Sequence, residues 1–281
     1  MKTQLRISLT TITLLTLTAC TTTPRGPADY KPGYSRAYNL AQAGGITDAR
    51  DVQRKHLSES EVYNLANNTS LLMSGNGASW SGGPALGASL LLSTLEPKSN
   101  FAEDSLFGWM PQTMAANTMQ ARTKMSERTA MAIKQGLDKL GYSYDVVLEN
   151  HDQKSLFGNG SAFMFSQIAI VEPAKGCPAP SETDHYSQTC YVTANIKEPT
   201  QGHAPQFESG QPAWVFKTEG VKASQITLAS PDNVELDKSA ILQAISAELP
   251  DWAYILLAQE EERPPVVLSG GEVELFLEPG E

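Results

Sequence analysis

The residue pattern predicts an α+β protein, an antiparallel sheet with two helices, about 112–140 and 238–249, on one face. Apolar residues recur at helical spacing in those two segments and near period two in most of the chain around them. Each helix has a single apolar stripe, and several strands keep one face polar. The helices therefore belong together on the sheet's other face.

The elements follow in chain order. Residues 37–108 read as a helical and loop region ahead of an α+β domain at 109–281. Within it, residues 37–72 look mostly helical, with Ser58-x-x-Glu61 as a capping box before Val62, Leu65 and Ala66. Met73–Leu95 is apolar but broken by glycines. Its Trp80, Leu86, Leu90, Leu91 and Leu92 suit a buried short helix or a contact surface. Pro111 opens the longest periodic segment, in which Met114, Ala121, Met125, Ala132, Ile133, Leu137 and Leu140 form one stripe that ends at Gly141. Arg122, Lys124, Arg128, Lys134 and Lys139 fall among its polar positions.

Period two begins at Tyr144, Val146 and Leu148. Phe163–Val171 and Trp252–Ala258 are apolar on both faces, which predicts interior strands. Cys190, Val192, Ala194 and Ile196 alternate with polar neighbours and predict a half-buried strand. Trp214 with Phe216, and Ile226 with Leu228, mark two more. Asp237 caps a helix with Ile241, Leu242, Ile245 and Leu249 on one face. Val266–Leu268 and Val273–Leu277 flank Gly270-Gly271 as a hairpin. Ala132-Ile133-x-Gln135-x-Leu137 is echoed 108 residues later by Ala240-Ile241-x-Gln243-x-Ile245. The echo is either a pair of α-β-β units or a chance likeness of two amphipathic helices.

The beginning of the chain has a different logic. Lys2 and Arg6 precede a short run containing Ile7, Leu9, Ile12, Leu14, Leu15 and Leu17. The run is shorter than the ~20 residues that span a bilayer. It ends Leu17-Thr18-Ala19-Cys20, the order of charge, apolar core and small-residue cleavage site found in export signals. These four residues resemble the lipobox of bacterial lipoproteins. The resemblance implies that residues 1–19 are removed and that Cys20 carries diacylglyceryl and N-acyl (palmitate) chains. Two or more chains anchor stably, because each buried CH₂ contributes ~0.8 kcal/mol. With Thr21 rather than Asp after the cysteine, the resemblance implies the outer membrane, periplasmic side. The alternative is an ordinary secretory signal with Cys20 a structural thiol. Residues 20–36, with Pro24, Pro27 and Pro32, read as a flexible tether.

Cleavage leaves 262 residues carrying 19 basic against 31 acidic side chains, a net of −12. Residues 201–281 alone hold four basic and fourteen acidic residues. Such a surface repels phosphate backbones, which excludes nucleic acid as a partner. An oxidising compartment and an even remaining pair, Cys177 and Cys190, predict a disulfide across a turn-rich loop. His56, His151, His185 and His203 show no compact metal spacing, and no nucleophile elbow or phosphate loop is present, so no cofactor is implied. The leading expectation is a non-enzymatic lipoprotein that meets the membrane through its lipid and docks other proteins of a transport, secretion or conjugation assembly. The competing expectations are a membrane-tethered periplasmic hydrolase and a carrier of small apolar ligands or lipid.

Cys20→Ser is expected to move the protein into the soluble periplasmic fraction and to abolish labelling by a palmitate analogue. Retention on the membrane with label would contradict the reading of residues 1–20.

Overall fold

The computed structural model describes residues 28–46, 49–53, 104–153, 163–181, 189–217, 224–231, 234, 236–258 and 265–279. The strands are β1 (Ser105–Pro111), β2 (Tyr144–Gln153), β3 (Phe163–Ile170), β4 (Cys190–Lys197), β5 (Thr200–His203), β6 (Pro212–Phe216), β7 (Ser224–Ala229), β8 (Ala253–Leu257), β9 (Val266–Ser269) and β10 (Glu272–Leu275). They form one antiparallel sheet in the order β10-β9-β8-β1-β7-β4-β3-β2. The β5–β6 hairpin branches off where β6 pairs with the second half of β1, Gly108–Pro111. The helices are α1 (Arg36–Ala43), α2 (Thr118–Lys139) and α3 (Lys238–Glu248).

The fold is α+β, as the periodicity predicts, and α2 and α3 lie on the same face. Ala121, Met125, Ile133 and Leu137 of α2 and Ile241 and Ile245 of α3 join Leu106, Ile168, Val192, Ile226 and Ile255 in the larger core. The long helix starts later than its sequence suggests. Pro111 ends β1, a 3-10 turn follows at Gln112–Met114, and Asn117 caps α2 by accepting from Gln120 N–H at 2.9 Å. Asp237 caps α3 as expected, accepting from Ala240 N–H at 2.9 Å.

β3 lies between β2 and β4, and β8 between β1 and β9, which are the interior positions their two apolar faces require. Cys177 and Cys190 are bridged, with Cα atoms 5.3 Å apart and both residues fully buried. The bridge ties the turn after β3 to the start of β4. The β9–β10 hairpin closes through Gly270 and Gly271.

Three features depart from the sequence reading. First, β1 is a central strand, so the expected division at residue 109 falls inside it. Second, β2 runs on to Gln153. Its register shifts between Val146 and Leu148 and again between Leu148 and His151, and Asn150 takes a left-handed φ of 52°. His151 and Asp152 therefore sit in the strand. Third, α1 packs on the face opposite α2 and α3. There Ala37, Leu40 and Ala41 meet Phe107, Trp109, Tyr254, Leu256, Val267 and Phe276 in a second core.

The echo 108 residues apart has a structural counterpart in the two helices. It equates Gly136 with Ala244, and these positions meet where the helices cross. A Cβ on Gly136 would lie 2.8 Å from Ile245 N and 3.0 Å from the Ala244 carbonyl carbon. Each helix leads into a three-strand meander, β2-β3-β4 or β8-β9-β10. The meanders run oppositely, since β2 is outermost in its trio and β8 innermost.

Because the obstacle at Gly136 is the neighbouring helix's backbone, it cannot move aside as a side chain would. Gly136→Val is expected to cost about 2 kcal/mol or more, read as a lowered denaturation midpoint. An unchanged midpoint would contradict the close crossing.

Candidate functional site

Among the residues singled out from sequence, Cys20, Trp80, Leu86, Leu90, Leu91 and Leu92 lie outside the described residues, as do His56 and His185. Cys177 and Cys190 are placed together, in the structural bridge. His151 is exposed on β2, and His203 is partly buried on β5. Two regions of the described surface carry the features that bear on function. They are a strap of residues 28–36 laid across the α1 side, and the outer edge of β2.

The strap is built from the chain outward. Ala28 carbonyl accepts from Gln206 N–H at 3.0 Å. The Tyr30 ring meets Phe207 at 5.5 Å between centroids, and Tyr34 stacks on Tyr38 at 4.2 Å. Asn39, only 3% exposed, accepts from Lys31 N–H at 2.8 Å and donates to the carbonyls of Lys31 and Ser35. Part of the segment expected as tether is thus bonded into the domain, through partners on α1 and in the turn between β5 and β6. The sequence signal that could have shown it is the concentration of aromatic residues, Tyr30, Tyr34 and Tyr38, in a segment otherwise read as a spacer.

Two ionic groups hold the strap. Ser35 caps α1, accepting from Tyr38 N–H at 2.9 Å, and its own N–H and hydroxyl donate to the two oxygens of Asp51 at 2.5 Å each. Burial raises the pKa of Asp51, the Ser35 hydrogen bonds oppose the rise, and the charge of Glu278 adds to it. Arg36 donates to Glu274 at 2.5 Å, Ser269 at 3.1 Å and Glu208 at 3.2 Å, joining α1 to β9, β10 and the turn after β5. Burial works against its charge, but the bond to Glu274 and the charges of Glu274 and Glu208 outweigh it and raise the pKa. Tyr254 nearby is also pushed up, by burial first and then by Glu208. Next to the strap, Val52 bridges Leu277 just beyond β10, donating to Phe276 carbonyl and accepting from Glu278 N–H. That end of the sheet is capped.

The opposite edge is bare among the described residues. β2 ends the strand order, and Val146 and Leu148 are 46% and 38% exposed. Its bulges limit regular pairing with a further strand, a usual way of keeping an edge from aggregating. Beneath it, Arg122 is 1% exposed and donates to Asp152 at 3.1 Å, so a buried cation on α2 pins the far half of the edge strand. Lys134 pairs with Glu149 at 2.9 Å. Sequence placed Arg122 among the polar positions of its helix, and only the position of β2 explains its burial.

Between α2 and α3, Met114, Met131, Leu249 and Trp252 line a cleft of about 240 Å³ with Arg128 and Glu248 at its walls. Among the described residues no group of three His, Cys, Asp or Glu side chains could hold a metal ion.

Asp51 supplies a pH test. Its raised pKa means that the folded state disfavours its charge, so stability is greatest below the ordinary carboxylate range and falls as pH rises through the raised value. Relative to Asp51→Asn, the wild type is expected to lose stability as pH rises above the ordinary carboxylate range, at about pH 4, measured by denaturant midpoints. A gap between the two proteins that stays constant with pH would contradict the burial of this carboxylate. No protein family, curated protein or solved structure matches the chain, so its functional reading rests on these residues.

Proposed function

We propose that the chain is a lipoprotein anchored through Cys20 in the outer membrane, facing the periplasm and working by contact with other envelope proteins. In this reading it is a docking or accessory component of a transport, secretion or conjugation assembly. The observation that carries the contact reading is the outer edge of β2. It is a ten-residue strand at the end of the sheet with two large apolar side chains in solvent, while the other end of the sheet is capped by Val52. An exposed apolar rim on a sheet edge is a surface for another protein.

Among the described residues neither competing reading gains an observation of its own. The cleft of about 240 Å³ is smaller than the roughly 300 Å³ at which ligand pockets begin, which is small for a lipid. The segment Met73–Leu95 stays a second candidate contact, on the strength of its sequence.

Val146→Glu with Leu148→Glu tests the proposal. Both side chains are already exposed, so the fold is expected to survive with a stability change within about 0.5 kcal/mol. Envelope proteins that co-purify with the native lipoprotein are expected to be lost. A folded variant that keeps all its partners would refute the β2 edge as the contact. Leu86→Glu with Leu91→Glu then asks the same of Met73–Leu95.

A further inference from the structure

We propose that the strap surface carrying Tyr30, Tyr34 and Lys31 rests in the headgroup layer of the bilayer that holds Cys20, a zwitterionic lipid surface being its partner. The proposal rests on the lipoprotein reading and adds to it an orientation and a second membrane contact.

The length of chain between anchor and body is the first argument. Seven residues separate Cys20 from Ala28, where the chain is bonded to Gln206. Eight Cα–Cα steps at ~3.3 Å span at most roughly 26 Å. A body of this size is roughly 45 Å across. The tether is therefore shorter than the protein it holds. The surface at its attachment stays beside the membrane, and the α2 layer across the sheet faces away.

The second argument is what that surface presents. Tyr30 and Tyr34 are 46% and 41% exposed, although each has a ring partner in the fold. The other large apolar side chains exposed among the described residues are on α2, at its C-terminal end, or on β2. Lys31 lies over the rings of Tyr34 and Tyr38, at 5.8 and 5.4 Å from their centroids. Tyrosines with a neighbouring lysine suit the boundary between headgroups and hydrocarbon, where an amphipathic ring has one apolar and one wet end.

Charge selects the lipid. Asp29, Asp51 and Glu208 lie along the strap, and Arg36 is already paired with Glu208 and Glu274. Lys31 and Arg50 are matched by Asp29, Asp51 and Glu208 and do not make the cluster of basic residues that anionic headgroups require. The contact is made by rings inserting among zwitterionic headgroups.

The orientation also connects the two surfaces. With the strap against the bilayer, the β2 edge lies at the far end of the strand order from the β10 end where Arg36 is tied, available to proteins in the periplasm.

The test uses the full lipidated chain in phosphatidylethanolamine vesicles containing a nitroxide-labelled lipid. A fluorophore is placed on Asp29→Cys or on Glu127→Cys, an exposed position of α2. Cys177 and Cys190 are bridged and do not compete for the label. The fluorophore at 29 is expected to be quenched several-fold more than that at 127. Tyr30→Ser with Tyr34→Ser loses two ring contacts and is expected to lower the melting temperature modestly while the domain stays folded, and it should bring quenching at 29 towards the level at 127, whereas Tyr30→Phe with Tyr34→Phe should keep it. Equal quenching at 29 and 127 in protein that carries lipid on Cys20 overturns the surface contact and leaves the anchor standing. So does full quenching at 29 in the folded double serine variant. A marked rise in quenching when phosphatidylglycerol is added overturns the choice of a zwitterionic partner. Protein with no lipid on Cys20 overturns the anchor and the contact together.

Discussion

All layers of this protein meet at one strand that must be buried on both faces. β1 is seven residues long. Leu106 and Met110 point into the core beneath α2 and α3, and Phe107 and Trp109 into the core beneath α1. None of the four is more than 3% exposed. Burying each such side chain stabilises by ~1.5–3 kcal/mol, a large fraction of a domain's net stability. The same strand pairs with β8 on one side and with β7 and β6 on the other, so one meander joins it directly at β8 and the other through β7. Gly108 at its centre fits because Trp252 carbonyl occupies the space that a Cβ would take. That carbonyl accepts from Trp109 N–H at 2.9 Å, which continues the ladder toward β8.

The second core follows from this constraint. Phe107, Trp109 and Tyr254 form an aromatic group on the α1 face, with Phe107 stacked on Tyr254 at 5.4 Å and edge-on to Trp109 at 5.8 Å. Left uncovered, that group would be a large apolar patch of the kind that soluble surfaces avoid. Leu40, Ala41 and their neighbours cover it, and the Arg36 and Asp51 contacts fix the cover in place. The strap then has a fixed path, which in the proposed lipoprotein would set how far the body can stand from its anchor. Local packing thereby bears on the orientation proposed above.

Much of the layout is legible in the sequence because it is periodic. The stripes of α2 and α3, the two-faced apolar runs of β3 and β8, and the Gly270-Gly271 hairpin all depend on local spacing. The disulfide is legible from an even cysteine pair in an oxidising setting. What escapes is non-local. β1 is short, has Gly108 inside and Pro111 at its end, both signals against a strand, and its β6 and β8 partners lie over a hundred residues away. The strap reads as a spacer from its prolines, while its order comes from Asn39, Phe207 and Asp51, which composition does not connect to it. The continuation of β2 past Asn150 depends on a left-handed residue and two register shifts. The bare edge of β2 is a property of strand order, which no local pattern carries. For the candidate site, the lipobox-like residues and the cysteine pair can be named from sequence, and the strap and β2 edge only from the fold.

Native-state hydrogen exchange under increasing denaturant tests the central claim most directly, that β1 joins the two cores and makes the α1 side part of the body. Amides of Leu106–Met110 are expected to be among the slowest. Leu40 and Ala41 of α1 are expected to open in the same cooperative unit, with the same denaturant dependence. If residues 36–43 exchange through a separate, low-energy opening while β1 and the α2 side remain protected, the two cores are independent. The strap would then not fix the position of the body.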